Sequence, residues 1–313
     1  MPTLRQLEYV VAVADLGQFG RAARSLHVSQ PSLSVQIAEL EAALGLKIFD
    51  RGKGGTNVTV RGAEVVQRAR IVLQGVDDIV AYARSEELFG GRLRLGVLPS
   101  IGPYLLPGVV RTLHRDNPEL RLILKEESTH ALDESLRSGR LDIIISTPED
   151  HPGTHQIPLF REPLWAAFAI DDPLAKSTDV LMETELAGRE LLTLDRSHRL
   201  ARMVEVLAQN CGAEVLDDYQ GTSLDAIRLM AATGSGVAVL PEIYTSTEAR
   251  RGDDVVLRPF RPGFAERDIA LIQRGGREPR RGTDVLAAAL QHEAARLMGR
   301  LPKTKTGGAP SAG

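Results

Sequence analysis

The sequence predicts a mixed α and α/β chain. It should comprise a small N-terminal helical domain with a two-stranded wing, one long helix, and a larger α/β domain in two lobes. Three observations predict this. Short helical periodicities broken by turn signals run as far as Gly45. An apolar stripe at helical spacing then continues from Val60 to about Leu88. From Arg92 onward, strand and helix patterns alternate, which means a parallel sheet covered by helices.

The length of 313 residues suits two or three domains, since domains of about 100–200 residues are usual. A 43% apolar content is that of an ordinary globular chain, and no apolar run reaches the ~18 residues of a membrane span. The first residues, MPTLRQLEYVVAVADL, carry Glu8 and Asp15 and show no cleavage site, so a cytoplasmic location without membrane contact is expected. Cys211 is the only cysteine, and the seven histidines show no metal-ligand spacing. An intrachain disulfide is therefore excluded, and neither a metal nor a cofactor is expected. The net charge of −3 argues against a non-specific nucleic-acid coat. Residues 1–61, however, hold seven Lys/Arg against five Asp/Glu, a net of +2.

Leu4, Leu7, Val10, Val11 and Ala14 form the apolar face of a first helix that Gly17 ends. A second short helix covers Gly20 to Leu26, with Ala22 and Ala23 small enough for another helix to approach. His27-Val28-Ser29 is a turn. Ser29 can cap a third helix, and Pro31 falls in its first turn, where a missing N–H costs nothing. Leu33, Ile37, Leu40 and Leu44 form its buried stripe. The opposite face carries Gln30, Pro31, Ser32, Ser34, Val35 and Ala38, which are short and uncharged. Such a face suits a recognition helix entering a major groove: Gln30 can bond an adenine edge, and Val35 can meet a thymine methyl. Leu46 to Arg51, a Gly-rich turn, and Val58 to Val60 make a wing that places Arg51 and Lys53 near phosphates or a minor groove. The domain should span residues 1–59.

Phe19 to Arg51, FGRAARSLHVSQPSLSVQIAELEAALGLKIFDR, resembles the helix-turn-helix signature of LysR-type transcriptional regulators. The resemblance implies a winged helix-turn-helix, a dimerising linker helix, and a periplasmic-binding-protein-like effector domain. It implies a sequence-specific regulator, activator or repressor, with no catalytic residues.

Thr59 can cap the linker helix; the linker is expected over residues 60–90, with its helix running from Val60 to about Leu88, about 29 residues or roughly 43 Å long. Val65, Val66, Ala69, Val72, Leu73, Val76, Ile79 and Val80 form its stripe. Burial against a second copy is the simplest partner for it, and packing against the same chain is the alternative.

The effector domain is expected over residues 91–301, lobe I about 91–162 with 267–301 and lobe II about 163–266, followed by a disordered tail over 302–313. Strands are expected at Arg92–Leu98, Leu120–Glu127, Leu141–Ser146, Glu190–Leu194, Val215–Gln220, Val237–Leu240, Leu257–Arg267 and Asp268–Gln273. Helices are expected at Pro103–Asn117, Thr129–Ser138, 198–210, 223–233 and Asp284–Leu301. Ligands bind where loops converge at the carboxyl ends of parallel strands. That places Ser100, Ile101, Thr129, His130, Ser146, Thr147, His198, Arg199, Arg202 and Thr222 as candidates. Ordinary helix capping is the competing role for the hydroxyls.

Here the resemblance is to the peroxide-sensing OxyR branch. It is carried by GPYLLP (102–107), TH (129–130), SGRLD (138–142), ELAGRELLTL (185–194) and TSLDAIRLMAATGSGVAVLP (222–241). That branch implies a reactive cysteine directly after the second-lobe histidine and a resolving cysteine nine residues on. Arg199 and Ala208 occupy those places. With the thiols absent, Arg199, Arg202 and His198 favour a small anionic effector. Pairing of both arginines with carboxylates is the competing reading. A thiol-based redox role for Cys211 is an alternative function, and a cytoplasmic small-molecule-binding protein is another. Partners are expected to be double-stranded promoter DNA at an inverted repeat, a second copy in dimers and tetramers, and RNA polymerase. No P-loop, dinucleotide fingerprint or GxSxG elbow supports an enzyme.

Overall fold

A computed structural model describes residues 1–52, 55–83, 88–216, 221, 223–276 and 279–300. The expected tail lies outside the described residues. The chain divides into two compact units, one of Met1–Arg92 with Glu134–Asp142 and one holding the remainder.

The first unit begins with α1 (Leu4–Leu16), α2 (Phe19–Ser25) and α3 (Gln30–Leu44). Thr3 and Gln6 form a reciprocal capping box at the start of α1, and Gly17 closes it at φ 65°. The buried face of α1 is Gln6, Tyr9, Val10 and Val13, rotated from the expected one, with Leu4 exposed. Tyr9 decides this. Its ring joins the core with Phe19, Ala22, Leu33 and Ile37, and a large aromatic brings more burial than Leu4. Leu33, Ile37 and Leu40 form the inner stripe of α3 as expected, whereas Leu44 emerges at the C-terminal turn. Ser29 accepts from Ser32 N at the N-cap, and Gly45 ends α3 in the left-handed region.

The wing strands β1 (Phe49–Gly52) and β2 (Gly55–Val58) pair antiparallel, Phe49 opposite Val58. The expected strand start at Leu46 moves to Phe49. Glu41, buried on α3, accepts from Ile48 N at 2.8 Å and Phe49 N at 3.1 Å, and those amides sit at the foot of the wing. The linker helix α4 runs Val60–Ala83. Thr59 caps it, accepting from Gly62 N at 2.8 Å. Val66 and Ala69 pack inward, while Val72, Ile79 and Val80 are exposed. Within the same unit, Gln74 donates to Asp142 at 2.7 Å.

The second unit is built on one curled sheet in the order β4-β3-β5-β11-β6-β9-β7-β8, with β10 also on β6. Its first half contains β3 (Arg92–Val97), β4 (Arg121–Glu126) and β5 (Ile143–Ser146), with α5 (Gly102–Asp116) and the start of α6 (Thr129–Arg137), whose residues from Glu134 onward belong to the first unit. The other half holds β7 (Glu190–Leu192), β8 (Glu214–Val215), β9 (Val237–Pro241) and β10 (Val255–Pro259), with α7 (Arg199–Cys211), α8 (Leu224–Ala232) and α9 (Glu242–Thr247). Two strands join the halves, β6 (His155–Ala169) and β11 (Glu266–Gln273), and α10 (Thr283–Leu297) follows.

β6 answers to no expected element. Its early residues pair with β11, and Leu164 to Ala169 pair with β9 and β10. Pro158 and Pro163 break its strand signal, and the register slips beside Pro158, between Ile269 and Ala270 of β11. The strand expected over Leu257–Arg267 is two strands instead. Residues 260–265 turn between them, Phe264 N bonding Arg261 O at 3.0 Å.

Candidate functional site

The exposed face of α3 is the first candidate site. Gln30, Pro31, Ser32 and Val35 are exposed and Ser34 half-buried, with no acidic residue in the first turn. The helix N-terminus therefore presents its positive dipole end without a local counter-charge. The backbone of Arg51 pairs with Thr56 in the wing. Lys53 lies outside the described residues.

Burial and Glu41 position this face. Burial alone would raise the Glu41 carboxyl pKa, but the Lys47 ammonium and the Phe49 and Ile48 N–H groups overcome that and hold it below the usual value. The ionised carboxylate joins α3 to β1.

The second candidate site lies at the loops beyond the strands of the two lobes. Ser100 and Ile101 follow β3. Ser100 Oγ accepts from Arg267 Nη1 at 2.9 Å, and Arg267 in turn pairs with the buried Glu162 at 2.7 Å. Ile101 is fully buried, its N–H donates to Leu98 O at 2.9 Å, and its carbonyl accepts from Leu105 N at 2.9 Å. Ser146 Oγ bonds His151 Nε2 at 2.9 Å, and His151 Nδ1 bonds Asp133 at 3.0 Å. Thr147 donates to Asp150 at 2.6 Å. His130 is exposed, whereas Thr129 is buried.

From the other lobe, His198 caps α7 and is buried; burial lowers its imidazole pKa, with Asp195 opposing. Arg199 bonds Glu149 at 2.6 Å and Asp150 at 3.4 Å, and Arg202 bonds Asp150 at 3.0 Å. Both arginines thus have carboxylate partners, the competing reading from the sequence. Thr222 lies outside the described residues. Two donors here are nevertheless unspent: Thr129 Oγ1 and Arg199 Nε are buried with no hydrogen-bond partner among the described residues. A buried unpaired donor costs about 1–3 kcal/mol.

The sequence missed Glu149, Asp150, His151, Glu162 and Arg267 as neighbours of the site. Periodicity carries no signal for pairs separated by 105 residues, as Glu162 and Arg267 are. The doublet Glu149-Asp150 after a buried strand was the only visible hint.

Comparison with known proteins covers the two regions that carry these candidate sites. Residues 4–63 match the bacterial regulatory helix-turn-helix protein of the lysR family, and residues 86–295 match the LysR substrate binding domain. The chain belongs to the LysR family. The DNA-binding transcriptional dual regulator OxyR of Escherichia coli strain K12 is 37% identical over 302 residues, covering 96% of this chain and 97% of that protein. A cysteine-to-aspartate variant of full-length OxyR from Pseudomonas aeruginosa superposes with a TM-score of 0.76 at 32% identity, covering 92% of this chain and 97% of that one. A cysteine-to-serine variant of Corynebacterium glutamicum OxyR with hydrogen peroxide bound gives 0.66 at 26% identity, covering 96% and 95%. This LysR-type regulator is therefore a DNA-binding transcription regulator with a two-lobed effector domain, and it lacks a cysteine pair.

Cys211 closes α7 and is buried in the core that also holds Leu186, Leu207 and Ala208. Burial raises its thiol pKa, and Glu183 adds to the effect, so little thiolate forms near neutral pH. Among the described residues no group could hold a metal ion and no helix is long and apolar enough to cross a membrane.

Proposed function

We propose that this regulator binds an inverted-repeat promoter site as a dimer and answers to a small anionic effector held between its two lobes, in place of a cysteine switch. Gln30, Pro31, Ser32, Ser34 and Val35 read base edges in the major groove. Arg51 and Lys53 of the wing hold the backbone or minor groove. Val72, Ile79 and Val80 of α4 are exposed in the single chain, and a second copy of that helix covers them. Assembly into tetramers, a cytoplasmic site of action, contact with RNA polymerase and the absence of catalysis belong to the same reading.

One observation supports the effector site. Thr129 Oγ1 and Arg199 Nε are buried donors without partners. An oxyanion satisfies both, with Ser100, Ile101, His130, Ser146, His198, Arg202 and Thr222 completing the surroundings. Such a ligand competes with Glu149 and Asp150 for Arg199 and Arg202. A carboxylate or phosphate that bridges both arginines is favoured over a neutral molecule.

Thermal shift of the full chain with acetate, oxalate, succinate and phosphate tests this. Stabilisation by at least one, lost in Arg199→Ala, is expected. Stabilisation by none, with Arg199→Ala regulating its promoter as the unaltered protein does, refutes it.

A further inference from the structure

A cavity of about 570 Å³ is walled by α5, by the end of α9 with the turn after it, and by α10. That volume falls within the ~300–1,000 Å³ of small-molecule sites. Pro103, Tyr104 and Pro107 of α5 and Leu297 of α10 supply apolar wall. The charges are unequal: Arg111, Arg251 and Arg296 face Glu248 and Glu293, with His292 beside them.

The two glutamates are already engaged. Glu293 takes a two-point bond from Arg296, at 2.6 and 2.8 Å, and lies so close to Gly108 that a Cβ there would stand 1.9 Å from its Oε1. Arg296, then His292 and Arg111, keep its carboxylate ionised, against the effect of burial. Glu248 pairs with Arg251 at 3.2 Å. Arg111, exposed on α5, acts on Glu293 through its charge alone and has no hydrogen-bonded partner among the described residues.

We propose that this cavity binds a small organic acid of single negative charge, with its carboxylate on Arg111 and its apolar body against Tyr104 and the two prolines. The site also has a route to the loops of the first one. The N-terminal N–H of Ile243 on α9 donates to Glu162 at 2.9 Å, Glu162 holds Arg267 at 2.7 Å, and Arg267 holds Ser100 at 2.9 Å. A ligand that steadies α9 steadies this chain of bonds. The coupling, though not the site, rests on Ser100 being an effector contact.

Calorimetry on the full chain with phenylacetate, cyclohexanecarboxylate and hexanoate tests the site, and phenylacetamide serves as the neutral control. At least one acid is expected to bind. Phenylacetamide and the Arg111→Glu variant should both weaken binding by roughly tenfold or more, because a charge-assisted bond is lost. Arg111→Lys should lie between, and Arg199→Ala should match the unaltered protein. Binding by no acid overturns the site, as does equal binding by a folded Arg111→Glu. Loss in Arg199→Ala but not in Arg111→Glu moves the ligand to the first site and also overturns it. Slower hydrogen exchange at the Ile243 amide on binding supports the coupling, and an unchanged rate overturns it.

Discussion

Removing the Glu41 carboxylate should unfasten the wing from the recognition helix. Glu41 is buried on α3, and its Oε1 accepts both the Ile48 and Phe49 amides. Glu41→Ala leaves both N–H groups without their acceptor. Hydrogen bonds to a charged group contribute about 1.5–3 kcal/mol each, so the pair gives roughly 3–6 kcal/mol. Lys47 adds little, because its side chain is 72% exposed. Hydrogen exchange at the Ile48 and Phe49 amides measures the opening directly. At ~1.4 kcal/mol per factor of ten, even the lower figure accelerates exchange roughly 100-fold. Glu41→Gln, which keeps one carbonyl acceptor, should fall between. Promoter affinity in a gel shift should drop with it. Rates within about threefold of the unaltered protein would refute the role given to Glu41, since only a bond of negligible worth gives so small a change. The pH dependence has a definite sign. The Glu41 pKa is lowered in the fold, so its contribution is complete above the ordinary glutamate value and is lost as pH falls through the lower folded one.

Other substitutions probe separate contacts. At Gly62 a Cβ would lie 2.2 Å from Ile48 O and 2.8 Å from Ile48 Cα, both backbone atoms. Gly62→Ala should cost roughly 1–3 kcal/mol in thermal unfolding, whereas Gly75→Ala, with nothing within 4 Å, should leave stability unchanged or raise it by up to about 1 kcal/mol. Charging the exposed linker stripe with Val72→Glu and Ile79→Glu should weaken self-association by roughly tenfold or more in analytical ultracentrifugation; an unchanged dimer would place the interface elsewhere. Because the Cys211 thiol pKa is raised, iodoacetamide labelling at pH 7.5 should run well below that of the urea-unfolded chain and speed up as pH rises. Cys211→Ala should leave any response to peroxide as it was, and a lost response would return the chain to thiol sensing.

Much of the N-terminal domain was legible because its signals are local. Ser29 and Gly45 mark the two ends of α3 within 17 residues of chain, and Leu33, Ile37 and Leu40 repeat at its period. The rotation of α1 was not legible, since Leu4 and Tyr9 compete for one core and only the packing of three helices chooses between them. In the larger domain, the buried strand β5 and the amphipathic α7 each announce themselves by period. β6 does not, because its two prolines and its passage from one half of the sheet to the other replace one uniform pattern with two.

The candidate site divides in the same way. By itself the sequence determined that the chain reads DNA, that Arg199 and Ala208 stand where the look-alike branch has thiols, and that Ser100, Thr129 and His198 fall at the ends of strands. Those facts depend on residue identity and short spacing. Only the tertiary structure decided what each group does with its bonding capacity. It set Glu149 and Asp150 against Arg199 and Arg202, joined Ser100 to Glu162 through Arg267, and left Thr129 Oγ1 and Arg199 Nε unpaired. Hydrogen bonds act over about 3 Å of space, and residues brought that close by a curled sheet are separated along the chain by distances that no periodicity records.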